Sequence, residues 1–176
     1  FGNHALAVIP QTSTIASHLP RALGVAFAIG AAGELDVETQ WQPDALAVCS
    51  FGDASVNHST AQGTINAAAQ MAHRRVPLPL LLVCEDNGLG ISVPTPAGWV
   101  AASLSSRPGL PYLFVDGTDP VGVYEAAEEL AELVREDRRP AILHLRVVRY
   151  GGHAGTDVES AYRDARSIRT YRLADP

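Results

Sequence analysis

Ala-Leu-Ala-Val-Cys-Ser-Phe-Gly-Asp-Ala-Ser, at positions 45–55, joins an apolar run to a short polar loop. Three further apolar runs follow the first one, Ala45–Phe51: they are Leu78–Cys84, Tyr112–Val115 and Ala141–Val148. Apolar runs of this length, rich in Val, Leu and Ile, are typical of strands that are buried on both faces of a parallel sheet. We therefore predict four strands, the first of which ends at the polar loop.

The segments between the predicted strands carry the signals of helices. The clearest begins with Asp119 as N-cap and Pro120 in the first turn, and it extends to Arg139, which a proline follows. Two more helices are expected over Leu19–Ala32 and Ser59–Arg74. The alternation of strands and helices predicts a doubly wound α/β fold, with a mostly parallel sheet and helices on both faces.

Length and composition predict one packed domain. The chain has 176 residues, of which 47% are hydrophobic and 18% are charged, and this size is usual for a single domain with its own core. We treat residues 1–176 as one domain. The first residues, from Phe1 to His4, show neither a helix cap nor the start of a strand, so we expect a fragment of a longer chain.

Charge and cysteine usage narrow the possible partners. The net charge is −6, and no cluster of Lys and Arg alternates with aromatic residues, which argues against binding to nucleic acid or to an anionic membrane. The longest apolar stretch, Ala22–Gly33, is too short to span a bilayer. Cys49 and Cys84 each lie inside an apolar run, so we expect them to pack as small hydrophobes in a reducing, cytoplasmic setting.

Polar residues follow the first two strands at the edge where ligands bind in parallel sheets. Asp53 comes directly after the first strand, and Asn87 lies 34 positions later, after the second. Because this spacing fits one strand and one helix, both side chains are expected at the same sheet edge, where their oxygens and a backbone carbonyl suit Mg²⁺. The alternative is that Asp53 is only a turn residue, a role that a lone Gly-Asp often has.

Three ordered segments resemble the α subunits of the thiamine diphosphate-dependent decarboxylase components of 2-oxo acid dehydrogenases (branched-chain or pyruvate type). They are residues 13–24 (STIASHLPRALG), residues 85–95 (EDNGLGISVPT) and residues 149–163 (RYGGHAGTDVESAYR). The metal motif itself resembles the thiamine diphosphate signature, which opens with Gly-Asp-Gly and closes with two asparagines. In this chain the signature appears as Gly52-Asp53-Ala54 and Asp86-Asn87.

The resemblance implies a role for each matching residue. The Mg²⁺ ligands would be the side chains of Asp53 and Asn87 and the carbonyl of Leu89. The aminopyrimidine side of the cofactor would face Ser13 and Ile15. These assignments extend the site from the metal towards the start of the chain.

The resemblance also implies a diphosphate loop and an active-site histidine. The diphosphate would be lined by Gly52, Ala54 and Ser55. His153 matches a loop histidine that lies near the cofactor and acts around decarboxylation and acyl transfer. Without the family, a histidine in a glycine-rich loop would be an ordinary solvated residue. The other histidines, His144 among them, are expected in core or surface roles.

The family reaction decarboxylates a 2-oxo acid and transfers the acyl group to a lipoyl carrier. The resemblance therefore implies thiamine diphosphate, Mg²⁺, a lipoyl acyltransferase partner, and a β subunit or fused domain that binds the pyrimidine and supplies the activating glutamate. We expect no turnover from this chain alone. Residues 159–163 are more similar to branched-chain than to pyruvate enzymes, whereas residues 150–153 fit either.

Two departures from the family keep an alternative open. Ala54 replaces a glycine, which tolerates more backbone strain, and Asp86 replaces the first asparagine and adds negative charge near the diphosphate. A degenerate, non-catalytic subunit of the same fold would explain both. A nucleotide-binding α/β domain is a weaker alternative, because the chain has neither Gly-x-Gly-x-x-Gly nor a phosphate-binding Gly-x₄-Gly-Lys-Ser/Thr loop.

Overall fold

The computed structural model describes residues 2–173. Four parallel strands form the main sheet in the order β1-β2-β6-β5, with the bounds Ala47–Gly52, Leu80–Asp86, Ala141–Arg146 and Tyr112–Asp116. Two short strands, β3 (Leu89–Gly90) and β4 (Val93–Pro94), form a separate antiparallel hairpin. The predicted four-stranded parallel sheet is confirmed, whereas the hairpin was not predicted.

Helices cover both faces of the sheet, as expected of a doubly wound fold. Residues 2–173 contain five α-helices: α1 (His18–Glu34), α2 (Ser59–His73), α3 (Trp99–Ser105), α4 (Pro120–Asp137) and α5 (Ala165–Arg172). Short 3₁₀ helices cover Asp53–Asn57 and Glu159–Ala161. Helices α3 and α5, of seven and eight residues, were too short to be predicted from periodicity.

The two faces of the sheet have separate apolar cores. Helices α1, α2 and α3 pack on one face, where Phe51, Leu82 and Cys84 are buried. Helix α4 packs on the other face through Leu130 and Val134. Because neighbouring residues of a strand point to opposite faces, each central strand contributes to both cores. This explains why its sequence is continuously apolar rather than alternating.

Helix α4 begins as predicted and ends earlier than predicted. The Asp119 side chain caps it by accepting the backbone N–H groups of Val121 at 3.2 Å and Gly122 at 3.1 Å. The helix ends at Asp137 because Arg138 takes a left-handed conformation with φ 51°. In this conformation the Arg138 carbonyl accepts the N–H of Leu78 at 2.7 Å. The residue that ends the helix thus also contacts a segment that is distant in sequence.

Both cysteines are buried with free thiols in the core under α1 and α2. Burial raises the pKa of the Cys49 thiol to about 11, so this thiol is an inert packing group, as predicted. Within residues 2–173, the helices lack the combination of length and apolar character that crossing a membrane requires.

Candidate functional site

Asp53 is buried at the carboxyl end of β1, where it begins the 3₁₀ helix. Its side chain is 1% exposed. The Thr95 hydroxyl donates to Asp53 Oδ2, and the backbone N–H of Asn87 also donates to the carboxylate. Burial raises the pKa of Asp53 above its usual value, the charge of Asp86 adds to this, and the hydrogen bonds offset it only in part. A buried carboxylate of this kind favours a neighbouring cation.

The turn after β2 presents two further oxygen donors. Asn87 Oδ1 accepts the N–H of Leu89 at 3.0 Å and keeps one lone pair. Thr95 N–H donates to the carbonyl of Gly88 at 2.9 Å, so Gly88 and Thr95 form a hydrogen-bonded pair of the hairpin. Leu89 and Pro94, the next pair in register, are then a non-hydrogen-bonded pair. The Leu89 carbonyl therefore points away from β4.

The structure therefore brings Asp53, Asn87 and Leu89 to one edge of the sheet, as predicted. All three offer oxygen, the donor that Mg²⁺ prefers, and Mg²⁺ usually completes its shell with phosphate oxygens and water. Within the described residues, no group of three or more His, Cys, Asp or Glu side chains is arranged to hold a metal. A site here would depend on this mixed set of one carboxylate, one amide and one carbonyl, and the set fits Mg²⁺.

The expected diphosphate loop follows Asp53 without backbone strain. Ala54 lies in the 3₁₀ helix, and its φ is not positive, so the backbone freedom of a glycine is not needed at this position. Its methyl group packs beside Gly90, where an added Cβ would come within 2.9 Å of the Ala54 Cβ. Gly52 has open space around it, and Ser55 is half-buried. The Ala54 departure thus leaves the loop geometry intact.

Ser13 and Ile15 lie in the exposed segment that leads into α1. This segment is tied to the first strand, because His18 Nε2 lies 2.9 Å from the carbonyl oxygen of Ser50 in β1. Ile15 is 60% exposed. The contact places the start of α1 near the carboxyl end of β1, while the role of both residues towards an aminopyrimidine stays a prediction.

His153 lies on a loop that is organised around Asp157. Asp157 Oδ2 accepts the backbone N–H of His153 at 2.6 Å and the Tyr162 hydroxyl at 2.5 Å. These two hydrogen bonds lower the pKa of Asp157. Gly152 packs closely here, because an added Cβ would come within 3.1 Å of the Asp157 backbone and carboxylate oxygens. The side chain of His153 is exposed.

Arg149 connects this loop to the turn that carries the predicted metal ligands. Its Nη2 donates to the Tyr162 hydroxyl at 2.6 Å, and its Nη1 donates to the carbonyl of Ile91 at 2.7 Å. Ile91 lies between β3 and β4, two residues after Leu89. The loop of His153 and the turn of Asn87 are therefore parts of one structure, although they are far apart in sequence.

Asp86 has a partner that the sequence did not reveal. It was expected to add negative charge near the diphosphate, but its Oδ2 lies 3.0 Å from Nε2 of His144 in β6. Asp86 and His144 are 58 residues apart, and only the parallel pairing of β2 with β6 makes them neighbours. No local motif signals such a pair.

We predict that Tyr162→Phe loosens the His153 loop. The change removes the hydroxyl that joins Arg149 to Asp157. The locally opened population of residues 149–163 should therefore rise. Trypsin cleavage within residues 149–163 should accelerate accordingly, as followed by mass spectrometry.

Tyr124→Phe is the matched control for that experiment, because Tyr124 is an exposed tyrosine on α4 whose hydroxyl bonds only Glu128 among the described residues. Equal cleavage rates in wild type and Tyr162→Phe would show that the hydroxyl does not hold the loop.

Two solved structures of enzymes have a similar fold. A transketolase from Leishmania mexicana superposes with a TM-score of 0.57 at 16% identity, over 80% of this chain and 21% of its own. A putative thiamin diphosphate-dependent enzyme from Mycobacterium smegmatis gives a TM-score of 0.52 at 22% identity, over 77% of this chain and 22% of its own. At these identities the likeness establishes the α/β fold.

Sequence relatives extend over the whole chain. The 2-oxoisovalerate dehydrogenase subunit alpha of Bacillus subtilis is 29% identical over 100% of this chain and 50% of its own length. The mitochondrial subunit alpha 2 of Arabidopsis thaliana is 28% identical over 99% of this chain and 34% of its own. The chain thus spans half or less of these relatives. The family model for the dehydrogenase E1 component matches residues 2–176. This chain belongs to the dehydrogenase E1 component family.

Proposed function

We propose that this chain holds Mg²⁺ and the diphosphate of thiamine diphosphate in a 2-oxo acid dehydrogenase. The assembled enzyme would decarboxylate a 2-oxo acid oxidatively and transfer its acyl group to a lipoyl carrier. The observation that carries this proposal is the buried Asp53 carboxylate, which lies against the Asn87 turn. The hairpin that follows this turn accepts a hydrogen bond from Arg149 at the carbonyl of Ile91, which connects it to the loop of His153.

The metal would be held by the Asp53 carboxylate, the Asn87 amide oxygen and the Leu89 carbonyl. Bound Mg²⁺ would compensate the charge of the buried carboxylate and part of the charge of the diphosphate, which lowers the cost of burying Asp53. The backbone N–H groups of Gly52, Ala54 and Ser55 would line the diphosphate. These groups lie at the start of the 3₁₀ helix, where N–H groups that the helix does not use suit an anion.

Thiamine diphosphate supplies the carbanion chemistry of decarboxylation when it is bound, and the protein positions it. His153 would hold or move a proton beside the reacting group, because imidazole changes protonation near physiological pH. Asp157 fixes the backbone of His153. The loop would thereby position the imidazole, which would face the cofactor.

Exposed apolar side chains near the site support a required β partner. Four of them, Ile15, Ile91, Val93 and Val158, are 57–66% exposed on segments next to the proposed site. Isolated exposed apolar residues are common, but several around one edge are typical of a surface that another chain covers. We propose that a β subunit or fused domain binds here and supplies the glutamate that activates the cofactor. A lipoyl acyltransferase would be the further partner.

The substrate class proposed is a branched-chain 2-oxo acid. The relatives from Bacillus subtilis and Arabidopsis thaliana carry the name 2-oxoisovalerate dehydrogenase. Residues 159–163 are also more similar in sequence to branched-chain than to pyruvate enzymes. A pyruvate enzyme is the alternative, and turnover of 2-oxoisovalerate against pyruvate by the assembled protein distinguishes the two.

We predict that the 176-residue chain binds thiamine diphosphate weakly and decarboxylates no 2-oxo acid by itself. Half of the pocket and the activating glutamate should come from the partner. Decarboxylation is measured as CO₂ release from 2-oxoisovalerate, with the chain alone and after addition of its β partner. Activity should appear only with the partner. Robust turnover by the chain alone would contradict the shared site, and inactivity of the complete assembly would contradict the proposed reaction.

A further inference from the structure

Three polar side chains form a hydrogen-bond chain next to the Asn87 turn, and the middle one, His144, is buried. His144 Nε2 lies 3.0 Å from Asp86 Oδ2, and His144 Nδ1 lies 2.8 Å from the Tyr112 hydroxyl. His144 is 1% exposed, and its ring meets the edge of Phe114 at a centroid distance of 4.9 Å. A carboxylate only accepts hydrogen bonds, so Nε2–H donates to Asp86; in that neutral tautomer Nδ1 accepts from the Tyr112 hydroxyl.

Asp86 links this chain to the turn through its second oxygen. Its Oδ1 accepts the backbone N–H of Gly88 at 3.0 Å, while Oδ2 is held by His144. Gly88 has φ +74°, and it lies between Asn87 and Leu89, which offer the proposed metal-binding oxygens. The orientation of both oxygens therefore depends on a turn that the Asp86 carboxylate fixes.

Packing alone does not hold the turn in place. A cavity of about 210 Å³ lies against Asp86, Gly88, Thr95 and His144, so the turn has room to move on that side. Hydrogen bonds then restrain the turn: one comes from His144 to Asp86, and others come from the N–H of Val147 to the Asp86 carbonyl at 2.8 Å and from the N–H of Thr95 to the Gly88 carbonyl at 2.9 Å. The N–H of Asn87 adds a bond to Asp53. The bond from His144 is a side-chain contact that substitution removes.

We propose that His144, oriented by Tyr112, is a positioning residue for Mg²⁺, which acts through Asp86 on the turn that carries Asn87 and Leu89. This inference rests on the proposed function, since it concerns the same metal. It also gives a role to the carboxylate of Asp86, which stands where the family has an asparagine. One oxygen accepts a hydrogen bond from His144, and the other accepts the N–H of Gly88 in the turn. His144 would touch neither metal nor substrate.

The test compares His144→Leu with His144→Gln in the assembled protein with its β partner. Leucine has a similar volume and no hydrogen-bonding group, whereas glutamine keeps an N–H donor for Asp86. The readout is the Mg²⁺ concentration that gives half-saturation of thiamine diphosphate binding, measured by titration calorimetry. We expect His144→Leu to raise it by up to about tenfold, the lower end of the loss for a direct partner of a metal ligand, because His144 acts through Asp86. His144→Gln should restore most of the affinity, and Tyr112→Phe should give a smaller rise.

Two further measurements separate positioning from stability. The turnover number at saturating Mg²⁺ should fall much less than the Mg²⁺ affinity, because the reacting groups are unchanged. The control His73→Leu, which alters an exposed histidine at the far end of α2, should leave the Mg²⁺ requirement as in wild type. A lower unfolding temperature of His144→Leu with an unchanged Mg²⁺ requirement would overturn the proposal and make His144 a packing residue.

Asp53→Ala in the same assay distinguishes this proposal from the proposed function. If Asp53→Ala loses cofactor binding while His144→Leu keeps the wild-type Mg²⁺ requirement, only the positioning role is wrong. If Asp53→Ala also binds normally, the metal site itself is wrong. Should His144→Leu fail to fold, Tyr112→Phe replaces it, and an unchanged Mg²⁺ requirement in that variant overturns the proposal.

Discussion

Asp53→Ala is expected to abolish Mg²⁺-dependent binding of thiamine diphosphate to the assembled protein. The change removes the only carboxylate among the three proposed ligands, and the loss in metal affinity should exceed the roughly 100-fold that losing an outer-shell partner can cost. Asn87→Ala should also weaken the Mg²⁺-dependent binding of thiamine diphosphate. Equilibrium dialysis with and without EDTA measures the loss. Normal Mg²⁺-dependent affinity in Asp53→Ala would return Asp53 to the role of a turn residue.

Asp53→Asn separates the loss of the charge from the loss of the side chain, because asparagine keeps the shape of the side chain and an oxygen that accepts a hydrogen bond from Thr95. It should also lose the cofactor, yet it should raise the unfolding temperature of the metal-free protein at neutral pH. The sign follows from burial, which raises the pKa of Asp53 in the folded state. The contribution of Asp53 to stability is therefore fully present below the pKa that its carboxyl has in the unfolded chain. It is lost as the pH rises through the pKa of that carboxyl in the folded protein. Asparagine is not ionised and avoids this loss.

His153→Ala is expected to lower lipoyl-dependent turnover by at least about 100-fold, the effect typical of losing a positioned acid or base. Cofactor affinity should change little, because Asp53 and Asn87 are still present to hold the metal. The loop should also keep its structure, since the backbone N–H of His153, and not its ring, bonds Asp157. Steady-state kinetics with a lipoylated acceptor measures the first effect, and trypsin cleavage within residues 149–163 measures the loop.

His73→Ala serves as control for this experiment as well, because its exposed side chain lies at the end of α2. Full turnover of His153→Ala would make His153 an ordinary loop histidine. A large loss of cofactor affinity would instead indicate that its ring helps to hold the cofactor.

The sequence was informative wherever local pattern decides structure. The continuous apolar runs predicted the four parallel strands, and the spacing of Asp53 and Asn87 placed both at one sheet edge, where the structure has them. Asp119 was correctly predicted as the cap of α4. These features depend on strand burial, helix capping and the length of one strand and helix, all of which are local.

Contacts between segments that are far apart in sequence could not be predicted from these local patterns. The pairing of Asp86 with His144 exists only because β2 lies beside β6, and the bond from Arg149 to Ile91 joins segments 58 residues apart. The hairpin β3–β4 has two residues in each strand, one of them a proline, which is too short for a periodic signal. The cytoplasmic location stays a prediction, and the relative from Arabidopsis thaliana is named mitochondrial.

Titration of the wild-type chain, assembled with its β partner, with thiamine diphosphate is the most direct test of the central claim. The titration is performed in Mg²⁺ and again after removal of divalent cations with EDTA. The account predicts saturable binding with one cofactor for each Asp53 site in Mg²⁺, and loss of that binding in EDTA. Failure to bind in Mg²⁺, or equal binding in both conditions, would contradict a site built from Asp53, Asn87 and Leu89.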